Sequence, residues 1–303
     1  MRSSSVWDML EVRHLRAFTE VARQGSFGAA ARELGYTQSG VSQQIQGLER
    51  IVGQPVLRRQ PGGRRPVELT DAGRLLLGHA EHLLARVGAT RADLAALADG
   101  DAGRVSVVTI QSVGTRVLPG VLRRFRADHP AAAVEIAESR SVDTLLDAVE
   151  AGAADIGFAA MPVPAEPFDV RPLGDDPFVL VTAAGHDERR LADLHGRRVL
   201  GSRGCQQQRL VEQQLLAAGV VPLSVDLFDD NGMIQELVAA GEGVAVVPWL
   251  TVDTLDPRIS VHLVGELPAR RLVTVVHRRW HLGPAARHFL EAAVAGQPLE
   301  APR

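Results

Sequence analysis

Lysine is absent from all 303 residues, cysteine occurs once, and no apolar run approaches the roughly 18 residues of a membrane span. Without lysine there is no P-loop lysine and no lysine Schiff base, although a GC-rich genome would also produce the absence. A lone Cys205 excludes an internal disulfide framework and fits a reducing cytoplasm. No apolar segment follows Arg2 before Asp8, so no secretory signal is expected. The motifs G-x-S-x-G, H-E-x-x-H and G-x-G-x-x-G are missing as well, which argues against an enzyme. The chain is nevertheless ordinary globular material, 46% apolar and 23% charged, enough for two or three domains.

Charge is unevenly placed. The first 75 residues hold eleven Arg against seven acidic residues, a balance of +4; the whole chain stands at −3, leaving −7 for the remainder. A basic head on an acidic body points to a polyanion as the partner of the head.

Within that head, Ser26 to Gly53 reads SFGAAARELGYTQSGVSQQIQGLERIVG. Ala30, Ala31 and Leu34 precede a break at Gly35-Tyr36-Thr37, and Val41, Ile45, Leu48 and Val52 then recur on one helical face. Gln38, Ser39, Ser42, Gln43, Gln46 and Arg50 fall away from that face. A plain surface hairpin would carry mainly ions there, whereas hydroxyls and amides both donate and accept. The pattern predicts a helix-turn-helix preceded by a helix over Val12 to Arg23, with Gly25 as its stop. Ser26 and Thr37 are the expected N-caps, placed where free N–H groups can meet phosphate.

The next segment, QPVLRRQPGGRRPVELT, has strand-like ends around Pro61-Gly62-Gly63 and reads as a two-stranded wing. Its Arg58, Arg59, Arg64 and Arg65 could be a solvated charge run; beside a helix-turn-helix they are expected to hold the DNA backbone or minor groove. Thr70 caps a long helix in which Leu76, Ala80, Leu83, Val87, Thr90, Leu94 and Leu97 are spaced alternately four and three apart. Such a seam suits a dimerising linker, the alternative being a helix packed on its own domain. His79 and His82 lack a third ligand nearby, so no metal is expected, and no cofactor either. Asp99-Gly100-Asp101-Ala102-Gly103 is the expected hinge.

Beyond the hinge, nine strand-like runs begin at Arg104, Ala133, Asp155, Phe178, Arg198, Ser224, Val244, Ser260 and Arg271. Helical runs over Val117 to Ala127, Val142 to Ala151, Gln206 to Ala218, Met233 to Ala240 and Pro284 to Ala295 lie between most of them. This predicts an α/β body with largely parallel sheets, its ligand loops at strand carboxyl ends. The loops are Gln111 to Thr115, Ser139 to Ser141, Gly201 to Cys205 and Asp229 to Gly232, though each hydroxyl there also suits a helix cap. Arg140 and Arg203 beside them favour an anionic effector.

The residues LRAFTEVARQGSFGAAARELGYTQSGVSQQIQGLE, RRPVELTDAG, LPGVLRRFRADHPAAAVEI and LVAAGEGVAVVP together resemble the LysR-type transcriptional regulators, over nearly the whole chain. The resemblance implies an α+β multi-domain protein: a winged helix-turn-helix (residues 8–70), a dimerisation linker helix (71–99), and a two-lobed effector domain like periplasmic binding proteins (104–297). Lobe one would be about 104–176 plus 271–296 and lobe two about 177–270. It implies double-stranded operator DNA, a small-molecule effector and a dimer or dimer of dimers as partners, with RNA polymerase as a further one. Effector positions carried over are Ser112, Gly114, Thr115, Ser139, Ser141, Gly201, Ser202, Cys205, Asn231 and Pro248. The chain departs from the family at Ser39, usually Pro, at Gln43, often Arg, and at Val56-Leu57-Arg58-Arg59, often Leu-Phe-x-Arg. Operator sequence therefore does not transfer. A solute-binding transport protein would share the body but not the basic head, and Cys205 as a redox sensor would lack a resolving partner.

Overall fold

The computed structural model describes residues 6–58, 66–99, 103–203 and 206–295. The lead before Val6, the wing turn with Arg59, Arg64 and Arg65, the middle of the hinge and Cys205 lie outside the described residues, as does the side chain of Leu97. The chain divides into two compact units, Met1–Leu94 with Ala151–Ala153, and Ala95–Glu150 with Ala154–Arg303.

In the first unit, α1 (Val12–Gln24), α2 (Phe27–Leu34) and α3 (Gln38–Val52) each end on a glycine, Gly25, Gly35 or Gly53, at positive φ. A left-handed residue there closes the last turn, and only glycine adopts it without a steric cost. The helices meet through Leu15, Phe18, Val21, Ala30, Val41, Ile45 and Leu48, all buried. Each large side chain among them contributes roughly 1.5–3 kcal/mol on leaving water. Strand β1 (Leu57–Arg58) pairs antiparallel with β2 (Glu68–Leu69), and α4 (Asp71–Asp99) follows. The Thr70 hydroxyl donates to the Pro55 carbonyl at 2.8 Å and accepts from the Gly73 N–H at 3.0 Å, so one residue ties the wing to the helix start. A Cβ at Gly73 would stand 2.0 Å from the Val56 carbonyl oxygen, and only glycine admits that approach.

The second unit runs β3 (Arg104–Thr109), α5 (Gln111–Arg116), α6 (Leu118–Asp128), β4 (Ala133–Glu138), α7 (Val142–Glu150), β5 (Ile156–Ala160), β6 (Phe168–Asp176), β7 (Phe178–Ala183), β8 (Arg198–Ser202), α8 (Gln206–Ala217), β9 (Ser224–Phe228), α9 (Asn231–Ala239), β10 (Val244–Pro248), β11 (Ile259–Leu263), β12 (Arg270–His277) and α10 (Pro284–Val294). Two five-stranded sheets result, ordered β4-β3-β5-β12-β6 and β11-β7-β10-β8-β9. The chain passes from the first sheet to the second at Pro177 and returns over 264–269. Strands β5 and β10 are buried throughout, which is why they read as unbroken apolar runs rather than alternating ones.

Three expectations are corrected here. The sheets are mixed: β3 is parallel to β4 and β5, and β8 to β9 and β10, but β12 is antiparallel to both its neighbours and β7 to both of its own. The crossing strands enter each sheet against the direction of its other strands. Strand β6 is not among the nine runs expected from the sequence; it carries Pro172 and Gly174, which an edge strand with a register shift opposite Leu272 and Val273 tolerates. Gln111 to Thr115, read as a loop, lies within the helix α5.

One surface cluster carries a pH prediction. Arg258 pairs with Glu236 on α9 and with Asp256, both at 2.7 Å, and its hydrogen bonds hold both carboxyls below their ordinary values. Depressed folded-state values mean stability that is present above the unfolded pKa and lost as pH falls through the folded one. Acid titration of the Arg258→Gln variant is therefore expected to show a shallower stability loss below about pH 5 than wild type. An unchanged slope in denaturant midpoints against pH would contradict it.

Candidate DNA-reading head and ligand cleft

Helix α3 turns Val41, Ile45, Leu48 and Ile51 into the core, and this fixes what its other side presents. Gln38, Ser39, Gln43, Gln46 and Arg50 are exposed, while Ser42 is half-buried. Ser39, Gln43, Gln46 and Arg50, at steps of four, three and four, form one stripe. Tyr36, half exposed at the turn before α3, adds an aromatic ring that sequence reasoning passed over; it is the only tyrosine in the chain. The expected backbone contacts Ser26 and Thr37 are N-caps: their hydroxyls accept from Ala29 N–H at 3.4 Å and Gly40 N–H at 3.1 Å. Thr37 also shares a 3.0 Å hydrogen bond with Ser39. The cap bond occupies one acceptor site on each hydroxyl and stiffens the helix start. Arg58 is exposed on the wing.

The linker seam divides. Leu76 packs against the core of the head and Ala80 is wholly buried in it, so both serve intramolecular packing rather than a partner. Leu83, Val87 and Leu94 are exposed at 49%, 41% and 62% on the same helix, an apolar stripe in water.

In the second unit, the predicted effector residues are drawn into three separate hydrogen-bond sets. Ser112 is buried, and its hydroxyl accepts from the Arg270 guanidinium at 2.6 Å. The Arg270 Nε donates to Asp176 at 2.7 Å, and the same carboxylate accepts from the Leu250 N–H at 3.0 Å. Asp176 and Arg270 are opposed register partners on β6 and β12, with side chains 0% and 8% exposed. Burial pushes the Asp176 carboxyl above its ordinary range, outweighing the opposite pull of Arg270.

The second set crosses the cleft. The Ser202 hydroxyl donates to Asn231 Oδ1 at 3.0 Å, and Asn231 Nδ2 donates to Gln111 Oε1 at 2.6 Å, joining the second lobe to the start of α5 in the first. Arg116 on α5 reaches the Val252 carbonyl at 2.9 Å, a parallel tie. In the third set, Ser139 and Ser141 bond to each other and to Thr144, Ser141 accepting from the Thr144 N–H at 3.1 Å as the cap of α7.

The other expected residues are held by packing. Gly114 sits where a Cβ would press on Thr109, Gly201 lies against the Gln208 side chain, and Pro248 is buried at the end of β10. Thr115 is exposed and bonds back along α5 to the Gln111 carbonyl. Arg203, read as an anion contact, donates instead to the Leu227 carbonyl at 2.8 Å and lies near Asp229. Arg140 is exposed.

Two family models match, the bacterial regulatory helix-turn-helix protein of the lysR family over residues 12–74 and the LysR substrate binding domain over 98–297. The HTH-type transcriptional regulator CbbR of Rhodospirillum rubrum is 31% identical over 292 residues, 93% of this chain and 96% of its own. ClcR of Pseudomonas putida, also an HTH-type transcriptional regulator, is 30% identical over 308 residues, covering 93% of this chain and 97% of its own. Among solved structures, full-length CbnR complexed with its target DNA superposes with a TM-score of 0.73 at 25% identity, covering 94% of this chain and 99% of that one. With a helix-turn-helix head, a long helix and a two-sheet body matched in sequence and fold, the chain belongs to the LysR family of transcriptional regulators.

Proposed function

We propose that this regulator reads an operator with α3 of two heads and is switched by a small effector held between the two lobes of its body. Residues 8–70 form the head, 71–99 the linker and 104–297 the effector domain in this reading. The observation that carries it is the exposed stripe of Ser39, Gln43, Gln46 and Arg50 on a capped α3 beside an arginine-bearing wing. Glutamine amides suit the N6/N7 edge of adenine, and Gln38 and Ser42 flank the stripe. Arg58, with Arg59, Arg64 and Arg65 from the sequence, supplies affinity that is independent of sequence and falls with salt. The likeness to CbnR in complex with its target DNA supports the same docking.

Exposed Leu83, Val87 and Leu94 support a second copy along α4, placing two heads on one duplex. A dimer of dimers, contact with RNA polymerase and a cytoplasmic location belong to the same reading. The Gln111–Asn231 bond between lobes is the element an effector would break or reinforce, and the lobe angle would then set the spacing of the heads. A ligand that raises the thermal midpoint of the full-length protein is expected to alter its DNA footprint or bend angle. A saturating ligand that alters neither contradicts the switch.

A further inference from the structure

The predicted effector hydroxyls are largely occupied by one another or by the chain, yet the body does contain open space nearby. A cavity of about 600 Å³ lies between the lobes beside the return crossover, within the range of small-molecule sites. Its walls come from four places: Met161 and Pro162 after β5, Phe178 at the start of β7, the first two turns of α8, and Pro268 to Arg271 entering β12. Phe178, 1% exposed, together with Met161 and Leu210 makes an apolar wall, and Gln206 and Gln213 bring amides. Among the described residues that line it there is no Asp, Glu or His, while three are arginines.

The three arginines are not equivalent. Arg270 is committed to Asp176 and Ser112. Arg271 lies 3.9 Å from Asp175 and is 68% exposed. Arg209, on α8, is exposed and has no ion pair or side-chain hydrogen bond among the described residues. Arg209, the guanidinium on this half-apolar wall with no acidic partner among the described residues, balances one negative charge. Its planar fork matches a carboxylate in two parallel hydrogen bonds. With Asp176 and Asp175 offsetting Arg270 and Arg271, the wall carries one net positive charge, which matches a monoanion better than a phosphate dianion. Phe178 and the adaptable Met161 suit an apolar body behind the charged end.

We infer that this cavity binds a small monocarboxylate with an apolar body, its carboxylate on Arg209. The inference rests on the effector reading above and names the chemical class that the cleft takes. It also replaces Arg140 and Arg203 as the source of anion preference with a residue that the sequence did not single out.

The test uses the full-length protein and three acids, benzoate, phenylacetate and hexanoate, each beside its neutral primary amide, in calorimetric titrations at fixed ionic strength. At least one acid is expected to bind at least tenfold more tightly than its amide. Arg209→Gln should abolish that difference while leaving the thermal midpoint of the unliganded protein and its affinity for random duplex unchanged. Equal binding of acid and amide, undiminished acid binding by Arg209→Gln, or binding by none of the acids would overturn the assignment. The bound complex is then footprinted on DNA. Acid binding that depends on Arg209 but leaves the footprint unchanged would sink the effector reading and keep the site. An amide that binds independently of Arg209 and alters the footprint would do the reverse.

Discussion

Asp176→Ala is expected to cost about 3–5 kcal/mol of folding stability, the largest single loss outside the apolar cores. The carboxylate is completely buried and accepts from both Arg270 and the Leu250 N–H. Removing it leaves the Arg270 charge, 8% exposed, without a counter-ion. Burial pushes the Asp176 carboxyl upward against the pull of Arg270, so the cost of desolvating the two charges offsets much of their attraction. The double variant Asp176→Leu/Arg270→Met, which removes both charges, is accordingly expected to lose less than Asp176→Ala alone. Denaturant midpoints for the two variants decide the matter. A single variant within about 0.5 kcal/mol of wild type would show that the pair is not buried as described.

Gln43→Ala is expected to lower operator affinity by about 1–3 kcal/mol per head while leaving random-duplex affinity unchanged. Gln43 is exposed within the α3 stripe and its side chain makes no hydrogen bond among the described residues, so truncation removes only what it offers to DNA. Arg58→Ala provides the contrast: both affinities should fall together, and the salt slope should drop by about one unit for each phosphate that the side chain no longer neutralises. Equal losses on operator and random duplex from Gln43→Ala would remove it from base readout.

The head was legible because its signals are local. As helix caps, Thr37, Thr70 and the glycines after α1 and α3 act within four residues of themselves, and the 3.6-residue period of Val41, Ile45 and Leu48 needs no tertiary information. The body was legible as alternating elements but not as a site. Ser112 meets Arg270 from 158 positions away, and no spacing in the sequence announces that bond. The heptad seam of α4 was real as a pattern, yet it could not tell that its first turns face the head while later ones face water. Strand β6 carries Pro172 and Gly174, which an edge position excuses. Arg209 drew no notice because nothing local distinguishes a free arginine from a paired one.

The most direct test of the account is selection of bound duplexes from a random pool by the full-length protein, sequenced after several rounds. Two heads on one helical linker pair, each reading with α3, predict a dyad-symmetric element with half-sites a whole number of turns apart, about 10 base pairs or a multiple. Gln43→Ala should relax the preference at corresponding positions in both half-sites. A pool that stays unselected, or a single asymmetric site that Gln43→Ala leaves unchanged, would contradict it.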